Sequence, residues 1–277
     1  MRRYFTFLIY TNIFVACSAF CLYKITEILF QFNNLMIGGF VFFSTLFCYN
    51  YMRVFNFLKV KKDGSLPLWI QNNKSLIYVI ILTSGFFLLF FCFFLGVNFL
   101  VLISPVIFVS LFYQSSINFN GHLYSIRGFP FFKIFIISIT WSYITLFVPL
   151  LYEGYLVDYS VLSYLFQRIL FLIAILIPFD IRDIKVDNIH TIPNTVGVFR
   201  AKLFGWFCLF IIQVFLIVDV VNSNISLPFF LALFISIELT SIVLYFASEN
   251  KSFIFYGIIV EGLSIIMCLF VLIASFF

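Results

Sequence analysis

Long apolar stretches alternate with short polar segments along the chain. Each stretch approaches the ~20 residues that an α-helix needs to cross ~30 Å of hydrocarbon. The pattern therefore predicts about nine membrane-spanning helices. The expected ranges are 5–23, 35–55, 76–95, 97–114, 132–152, 161–179, 203–221, 227–247 and 253–276. Only residues 96–98 separate the third helix from the fourth.

The composition excludes a water-soluble protein. The 277 residues are 64% hydrophobic and 10% charged, whereas a soluble domain is roughly a quarter charged. A surface this poor in charge is expected to face membrane lipids, and no nucleic acid is expected as a partner. We therefore predict an all-α, polytopic membrane protein in which residues 1–277 form a single domain.

The basic residues are distributed unevenly among the polar segments, and their distribution predicts the orientation. With the N-terminus inside, every Lys and Arg except Lys24 and Arg168 falls on the inner side, as the positive-inside rule requires. The two most polar segments, 56–75 and 180–202, then share the cytoplasmic face. An even number of spans would scatter the same charges over both faces.

Three aspartates follow the apolar segment 162–179. Asp180, Asp183 and Asp187 are three and four residues apart, a spacing that places them on one face of a helix. Like charges at the edge of hydrocarbon repel one another and lose hydration, and a divalent cation relieves both costs. Carboxylate oxygens suit Mg²⁺, which binds a few carboxylates together with substrate phosphates. The alternative is a solvated helix end that the basic residues between the acids neutralise.

This acidic segment resembles a motif of the UbiA-type superfamily of intramembrane prenyltransferases. Asp183 and Asp187, with Thr191 and Gly197 downstream, look like the family's second aspartate-rich motif, D-x-x-x-D followed by a Thr and a Gly. The position of this motif, after the sixth of nine spans, also agrees with the family. Residues 123–133 are similar to the family's segment between the fourth and fifth helices.

The resemblance implies an enzyme that moves an isoprenoid group from a prenyl diphosphate to a lipophilic, aromatic acceptor, with Mg²⁺ as cofactor. Its helices would enclose a central cavity, and the protein would lie in a bacterial plasma membrane with a cytoplasmic N-terminus. Neutralising the departing diphosphate would favour ionisation of an allylic C–O bond. The surrounding hydrocarbon would keep water away from the resulting carbocation.

The family's first motif, N-D-x-x-D after the second helix, is incomplete in this chain. Residues 50–54 read NYMRV, so only Asn50 matches and both aspartates are replaced. A guanidinium can bind phosphate oxygens in a bidentate fork. We therefore expect Arg53 to bind the diphosphate where carboxylates would otherwise hold a second metal ion. The alternative is that Arg53 only anchors the inner end of its helix at the membrane surface.

The predicted site has three groups of residues. The catalytic residues are Asp183, Asp187 and Asn50. The diphosphate-binding residues are Arg53, Tyr124, Arg127 and Lys133. The magnesium ligands are Asp180, Asp183 and Asp187.

Two other functions stay open. A relative without catalytic activity would bind lipid diphosphates or serve as a membrane scaffold, and the incomplete first motif favours this alternative. A secondary transporter would use Glu238 and Glu261, two acids inside apolar spans, where a charge is costly. Arg168 lies at a depth that would allow it to pair with Glu238. The sequence shows no internal repeat or paired discontinuous segments of the kind that many transporters contain.

Overall fold

The structure is a computed structural model, and it describes residues 2–59, 68–113, 116–119, 122–125, 131–185 and 191–277. The α-helices are α1 (Arg2–Tyr10), α2 (Ile13–Leu29), α3 (Leu35–Lys59), α4 (Leu68–Asn72), α5 (Lys74–Tyr113), α6 (Phe132–Ser142), α7 (Val148–Tyr152), α8 (Tyr159–Arg182), α9 (Ile192–Val196), α10 (Val198–Val221), α11 (Leu227–Phe246) and α12 (Glu261–Ala274). The strands are β1 (Ser116–Phe119) and β2 (His122–Ser125). π-Helical turns occupy Tyr143–Phe147 and Phe255–Val260, and a 3₁₀ turn occupies Asp183–Lys185.

Helical segments with the length of a membrane span make up most of the described residues. Seven helical segments are long and apolar enough to cross a membrane, and the bent pair α1–α2 gives an eighth. Helices α6 and α7, joined by a π-helical turn, form one of these segments, Phe132–Tyr152. The chain is therefore an all-α, multi-pass integral membrane protein, and this part of the sequence prediction is confirmed.

Helix α5 is too long for one crossing and is broken at Gly96. Its apolar part, Lys74–Ser110, has 37 residues. A straight helix of that size would extend ~55 Å, against ~30 Å of hydrocarbon. Gly96 has φ 76° and ψ −177°, a conformation that is essentially restricted to glycine. The break coincides with the one that the polar pattern predicts.

Two tyrosines of a neighbouring span show the direction of the chain after Gly96. Tyr152 donates a hydrogen bond to the carbonyl of Leu95 (3.0 Å). Tyr143, which precedes it on the same span, donates to the carbonyl of Leu102 (2.9 Å). The residues after Gly96 therefore run antiparallel to that span.

Contacts with α3 show the reversal itself. Phe43 contacts Phe87 (4.7 Å between ring centres), and Phe40 contacts Phe99 (4.9 Å). In a straight helix Phe87 and Phe99 would lie ~18 Å apart, yet their partners on α3 are only three positions apart, so the chain turns back between them. Dividing α5 at this point raises the eight candidate spans of the described residues to nine.

The first predicted span, 5–23, is divided in the structure. Helix α1 ends at Tyr10, α2 begins at Ile13, and the two helices are bent by 70° relative to each other. Between them lies Asn12, with φ 57°. Asparagine adopts this left-handed conformation more readily than most other residues that carry a side chain.

Helix α2 continues past the end of the predicted span as far as Leu29. Lys24 and Glu27, which the hydropathy pattern places in a loop, form an ion pair of 2.9 Å within the helix. Glu27 is 2% exposed, and its charge is balanced one turn away. The helix can therefore continue although it contains two charged residues.

Helix α8 is the most enclosed span of the bundle. In its apolar window 61% of the residues are buried, against 17% in α5. It packs against α6, α10 and α11. Two of its charged residues, Arg168 and Asp180, are consequently buried, with exposed fractions of 7% and 4%. The sequence around α8 therefore places charge inside the bundle, whereas α5 presents mostly apolar side chains to lipid.

The first and last spans are neighbours. Helix α2 packs along α12, and the hydroxyl of Ser18 donates to the carbonyl of Glu261 (2.7 Å). Helix α1 approaches the last span at Gly257, where a Cβ atom would lie 2.8 Å from the side chain of Ile9. The absence of a side chain at Gly257 therefore permits this contact.

A short antiparallel hairpin joins α5 to α6. Strand β1 pairs with β2 so that Ser116 faces Ser125 and Ile117 faces Tyr124. The apolar pattern does not predict this hairpin, because each strand has four residues and contains polar side chains. It lies on the side of the membrane where α5 ends and α6 begins.

The reversal at Gly96 predicts the topology of α5. In a variant without the six native cysteines, a cysteine at Val97 should react with a membrane-impermeant maleimide from the side opposite to a cysteine at Lys74. Val97 is 73% exposed, so its reactivity reports the side of the membrane. Val221→Cys, 76% exposed at the end of α10, is the control and should react from the same side as Val97→Cys. Labelling of Val97→Cys and Lys74→Cys from one side would contradict the reversal.

Candidate functional site

Lys133 and Asp180 form an ion pair between α6 and α8. Lys133 Nζ lies 3.0 Å from Asp180 Oδ1, and the side chains are 16% and 5% exposed. Removing both ions from water is costly, and their attraction in a medium of low dielectric constant offsets that cost. The pair therefore fixes the start of α6 against the last turn of α8. We call this end of the bundle, where α6 begins and α8 ends, the acidic end.

Arg182 and Asp183 form a second ion pair at the acidic end. Arg182 donates from Nε to Asp183 Oδ1 (2.6 Å) and from Nη2 to Oδ2 (2.9 Å). The guanidinium carbon lies 5.3 Å from the ring centre of Phe179 and 5.6 Å from that of Tyr256, distances typical of cation–π interactions. Arg182 also interacts electrostatically with Glu261. Two aromatic rings and two acids thus surround one guanidinium.

The acidic segment is not one continuous helix. Helix α8 ends at Arg182, and Asp183 opens a 3₁₀ turn. Asp180 therefore lies within the helix and Asp183 at its C-terminal cap, and Asp187 lies outside the described residues, so the shared helical face stays a prediction. Each of the two carboxylates has a separate cationic partner, Lys133 or Arg182.

The described carboxylates have the donor atoms that suit Mg²⁺, because both offer hard oxygens at the edge of an apolar span. Asp183 accepts from Arg182 through both oxygens, so it would have to leave this partner to bind the ion. Within the described residues no group of three His, Cys, Asp or Glu is arranged to hold a metal. Asp187, the third predicted ligand, lies outside those residues. The magnesium site therefore stays a prediction.

Asn50 is bonded to the break between α1 and α2. Its Oδ1 accepts from Asn12 Nδ2 (3.0 Å). Its Nδ2 donates to the carbonyls of Thr11 (2.9 Å) and Leu46 (2.8 Å). The side chain is fully buried, and its acceptor and both amide protons have partners. The Asn50 amide, to which the sequence assigns a catalytic role, thus stabilises the break between α1 and α2. Its catalytic role stays a prediction.

Arg53 contacts the same break. It donates from Nη1 to the carbonyl of Tyr10 and from Nη2 to Asn12 Oδ1 (2.6 Å). Tyr10 in turn stacks between Trp69 of α4 and Phe253, with ring-centre distances of 5.3 and 4.9 Å. Arg53 therefore satisfies backbone and side-chain acceptors that the end of α1 leaves unpaired.

Aromatic residues near the start of the last span connect the two groups of predicted site residues. Tyr10, which accepts from Arg53, stacks on Phe253, and Tyr256 lies beside Arg182. Arg53 and Asp183 consequently lie at the same end of the bundle, and their joint role in binding stays a prediction. Two further predicted residues, Arg127 and Asp187, lie outside the described residues. Tyr124 is described by its backbone in β2 only.

A cavity lies in the opposite half of the bundle, between α2, α8, α10, α11 and α12. It has a volume of about 50 Å³, and its polar lining consists of Tyr164, Gln167 and Arg168. Asp180 follows Arg168 by twelve positions in α8, which corresponds to ~18 Å along the helix axis. We call this space the far cavity, because it lies away from the acidic end.

Arg168 and Glu238 have different partners from those that the sequence predicts. Arg168 donates from Nη1 to the carbonyl of Leu22 (2.7 Å), whereas Glu238 accepts from Gln213 on α10. Glu238 is exposed at the outer surface of the bundle. The prediction of a pair between the two is therefore wrong, because depth along the membrane does not determine the direction in which a side chain points.

The burial of Lys133 and Asp180 predicts that removing the lysine alone destabilises the protein and that removing both charges restores much of its stability. Lys133→Met would remove this cation from the buried Asp180 carboxylate, and the free energy of unfolding should fall by about 3 kcal/mol. Adding Asp180→Leu also removes the buried negative charge and should restore most of this loss. The measurement is unfolding in mixed micelles with increasing dodecyl sulfate, followed by circular dichroism. Lys251→Met, which changes an exposed lysine, is the control, and a double variant no more stable than Lys133→Met would refute the interpretation.

Comparison of the chain with protein-family models, with curated proteins and with solved structures yields no match. The resemblance to intramembrane prenyltransferases therefore rests on the motif residues and on the number of spans.

Proposed function

We propose that the chain is a prenyltransferase that moves an isoprenoid group from a prenyl diphosphate to a lipophilic, aromatic acceptor within the membrane. The observation that carries this proposal is the set of two adjoining ion pairs, Lys133–Asp180 and Arg182–Asp183, at one end of an otherwise apolar bundle. Cations and carboxylates at such a boundary suit a ligand with a charged head and an apolar tail. We also propose a bacterial plasma membrane, with the N-terminus and the acidic end on the cytoplasmic side.

The cations of the acidic end would bind the diphosphate. Lys133 and Arg182 are held near the membrane boundary by Asp180 and Asp183, and their N–H groups are the strong donors that phosphate oxygens accept. Arg127, which lies outside the described residues, would add a further guanidinium. The aspartates position these cations before the substrate arrives, so little reorganisation is needed when the diphosphate binds.

Asp180, Asp183 and Asp187 would hold the cofactor in the proposed enzyme. Mg²⁺, when bound, supplies positive charge that stabilises the departing diphosphate. For Asp183 this requires Arg182 to turn from its carboxylate to the phosphate oxygens, an exchange of one charge-assisted hydrogen bond for another. The rings of Phe179 and Tyr256 lie beside Arg182 and would shield one side of it from water.

A second candidate is a relative that binds a lipid diphosphate without turning it over. The bonding of Asn50 and Arg53 favours it, because both side chains already stabilise the break between α1 and α2. The aspartates of the family's first motif are also absent. On this alternative the acidic end retains the head group, and no bond to it is broken.

The enzyme proposal predicts diphosphate release that depends on the acidic end. Membranes containing the protein, incubated with labelled prenyl diphosphates, Mg²⁺ and a panel of aromatic quinone precursors, should release diphosphate and form a prenylated product. Asp183→Asn and Asp187→Asn should each lower the rate by about 100-fold, the effect typical of losing one electrostatic contribution to a transition state. Glu238→Gln is the control, because Glu238 faces the outer surface of the bundle and bonds to Gln213.

The outcomes separate the candidate functions. Release and transfer in the native protein, lost in the aspartate variants and retained in Glu238→Gln, support the enzyme. Tight binding of the donor without release favours the second candidate. Absence of both binding and release refutes the proposed function altogether.

The role of Arg53 can be tested against a variant that disrupts the same network. Arg53→Ala removes the guanidinium, whereas Asn12→Gly removes the bond to Asn50 and Arg53 but tolerates the φ of 57° at this position. If Arg53 binds the diphosphate, Arg53→Ala should weaken donor binding by about tenfold or more, and Asn12→Gly should leave it unchanged. Binding is measured by displacement of a fluorescent prenyl diphosphate. Equal affinities in the two variants would assign Arg53 to the helix break alone.

A further inference from the structure

An acidic side chain lies on the outer surface of the bundle near the middle of a membrane span. Glu238 is the twelfth of the 20 residues of α11, so its Cα atom lies ~2 Å from the midpoint of the helix. It is exposed, as are Ile235 and Ile242, about one turn before and after it. Ionisable residues within spans are rare, and they almost always face the interior of a bundle or a water-filled cavity. The position of Glu238 therefore indicates that another polar surface covers it.

The described part of the chain satisfies this carboxyl group only in part. Gln213 of α10 donates from Nε2 to Glu238 Oε1. No lysine or arginine of the described residues forms an ion pair with Glu238. Glu238 Oε2, together with Oε1 and the second N–H of Gln213, has no partner among the same residues. The surface thus presents both donors and acceptors to hydrocarbon, which offers neither.

Helix α5 shows what a surface in contact with lipid alone contains. Only 17% of its apolar window is buried, and it has no charged residue after Lys74. Its exposed side chains include Leu82, Phe93 and Val101. Helix α11 departs from this pattern at the most apolar depth of the membrane. The difference indicates that protein, rather than lipid, covers the exposed face of α11.

The exposed residues around Glu238 form a seam along α11. The seam consists of Leu231, Ile235, Glu238, Ile242 and Tyr245. Spacings of four, three, four and three are the heptad spacing of a left-handed helix pair. The same spacing would also suit lipid, so the polar residue at the centre is what selects a protein partner.

We propose that the seam of α11 is the interface of a two-fold symmetric homodimer. An axis along the membrane normal keeps both copies in the same orientation, so α11 meets its counterpart in parallel and in register. Glu238 then lies opposite Glu238 of the second copy. The inference does not depend on the proposed prenyl transfer, because the seam lies on the outer surface of the bundle.

A second copy matches the groups that the seam leaves unpaired. Each Gln213–Glu238 pair offers one free amide N–H and one free carboxyl oxygen, so two copies supply each other with the missing acceptor and donor. One proton held between the two carboxyl groups removes the repulsion of like charges and adds an O–H donor. A basic side chain of a different protein would supply donors, but no acceptor for the N–H of Gln213.

Removal of the polar pair tests the interface. Sedimentation equilibrium of the full chain in detergent should show a dimer. The combined changes Gln213→Leu and Glu238→Leu should raise its dissociation constant by about tenfold, because the interhelical hydrogen bonds are lost. Leucine suits a lipid-facing position, so this variant should insert and fold as the native protein does. Glu238→Gln is the matched control, since its amide retains a donor and an acceptor and should keep most of the association.

Two results would overturn the proposal at this stage. One is a native chain that is monomeric at every concentration. The other is a dimer whose dissociation constant does not change when both polar residues are replaced by leucine.

Cross-linking in membranes then locates the interface. In the variant without the six native cysteines, Ile235→Cys and Ile242→Cys should each form a disulfide-linked dimer on oxidation with copper phenanthroline. A disulfide requires Cα atoms within about 7 Å of each other, so its formation reports the register of the seam. Leu82→Cys, on the exposed side of α5, is the control and should stay monomeric. Cross-linking through Leu82→Cys alone, or linkage of the α11 cysteines only to a different protein, would refute the inference.

Discussion

The ion pair between Lys133 and Asp180 joins the first turn of α6 to the last turn of α8 inside the bundle. Water would weaken such an attraction, whereas the enclosed interface strengthens it and makes either charge costly without the other. Because α8 is the most enclosed span, its end cannot shift without breaking this contact. The neighbouring pair of Arg182 and Asp183 is held against the same helix end. Any chemistry at the acidic end therefore begins from charges that the fold has already positioned.

Hydropathy was sufficient to predict the spans, since a chain in lipid must pair its backbone groups within helices. It was insufficient where a polar residue is balanced by a neighbour. Lys24 and Glu27 interrupt the apolar pattern when each residue is read alone, yet their ion pair allows α2 to continue to Leu29. The break at Asn12 was also missed, because its stability comes from Asn50 and Arg53, about 40 positions away in the chain.

The candidate site could be predicted only in outline. The spacing of the aspartates indicated the end of α8 as a charged region, and Lys133 does lie there. The sequence could not show which cation each acid would select, since this depends on how α6 packs against α8. Arg168 was visible as a charge inside an apolar span, which is itself a signal of function. The surroundings of Arg168 could not be predicted, because they combine hydroxyl groups from α2 and from a π-helical turn, which are distant in the chain.

The two charged regions of α8 divide the molecule into halves with different chemistry. At the acidic end, cations and carboxylates are balanced against one another near the membrane boundary. In the far cavity, a single cation is held by neutral oxygens and surrounded by apolar side chains. This cavity lies between the first and the last span, because Ile25 of α2 and Met267 of α12 share its wall.

The adjacency of these two spans has a consequence for biosynthesis. The N-terminal helices emerge from the ribosome first, and domains generally fold in that order. Here Ser18 and Ile9 remain without their contacts to Glu261 and Gly257 until the final span has been translated and inserted. The earlier helices are therefore inserted in the bilayer before this interface can form. The bundle is complete only when the last span packs against the first.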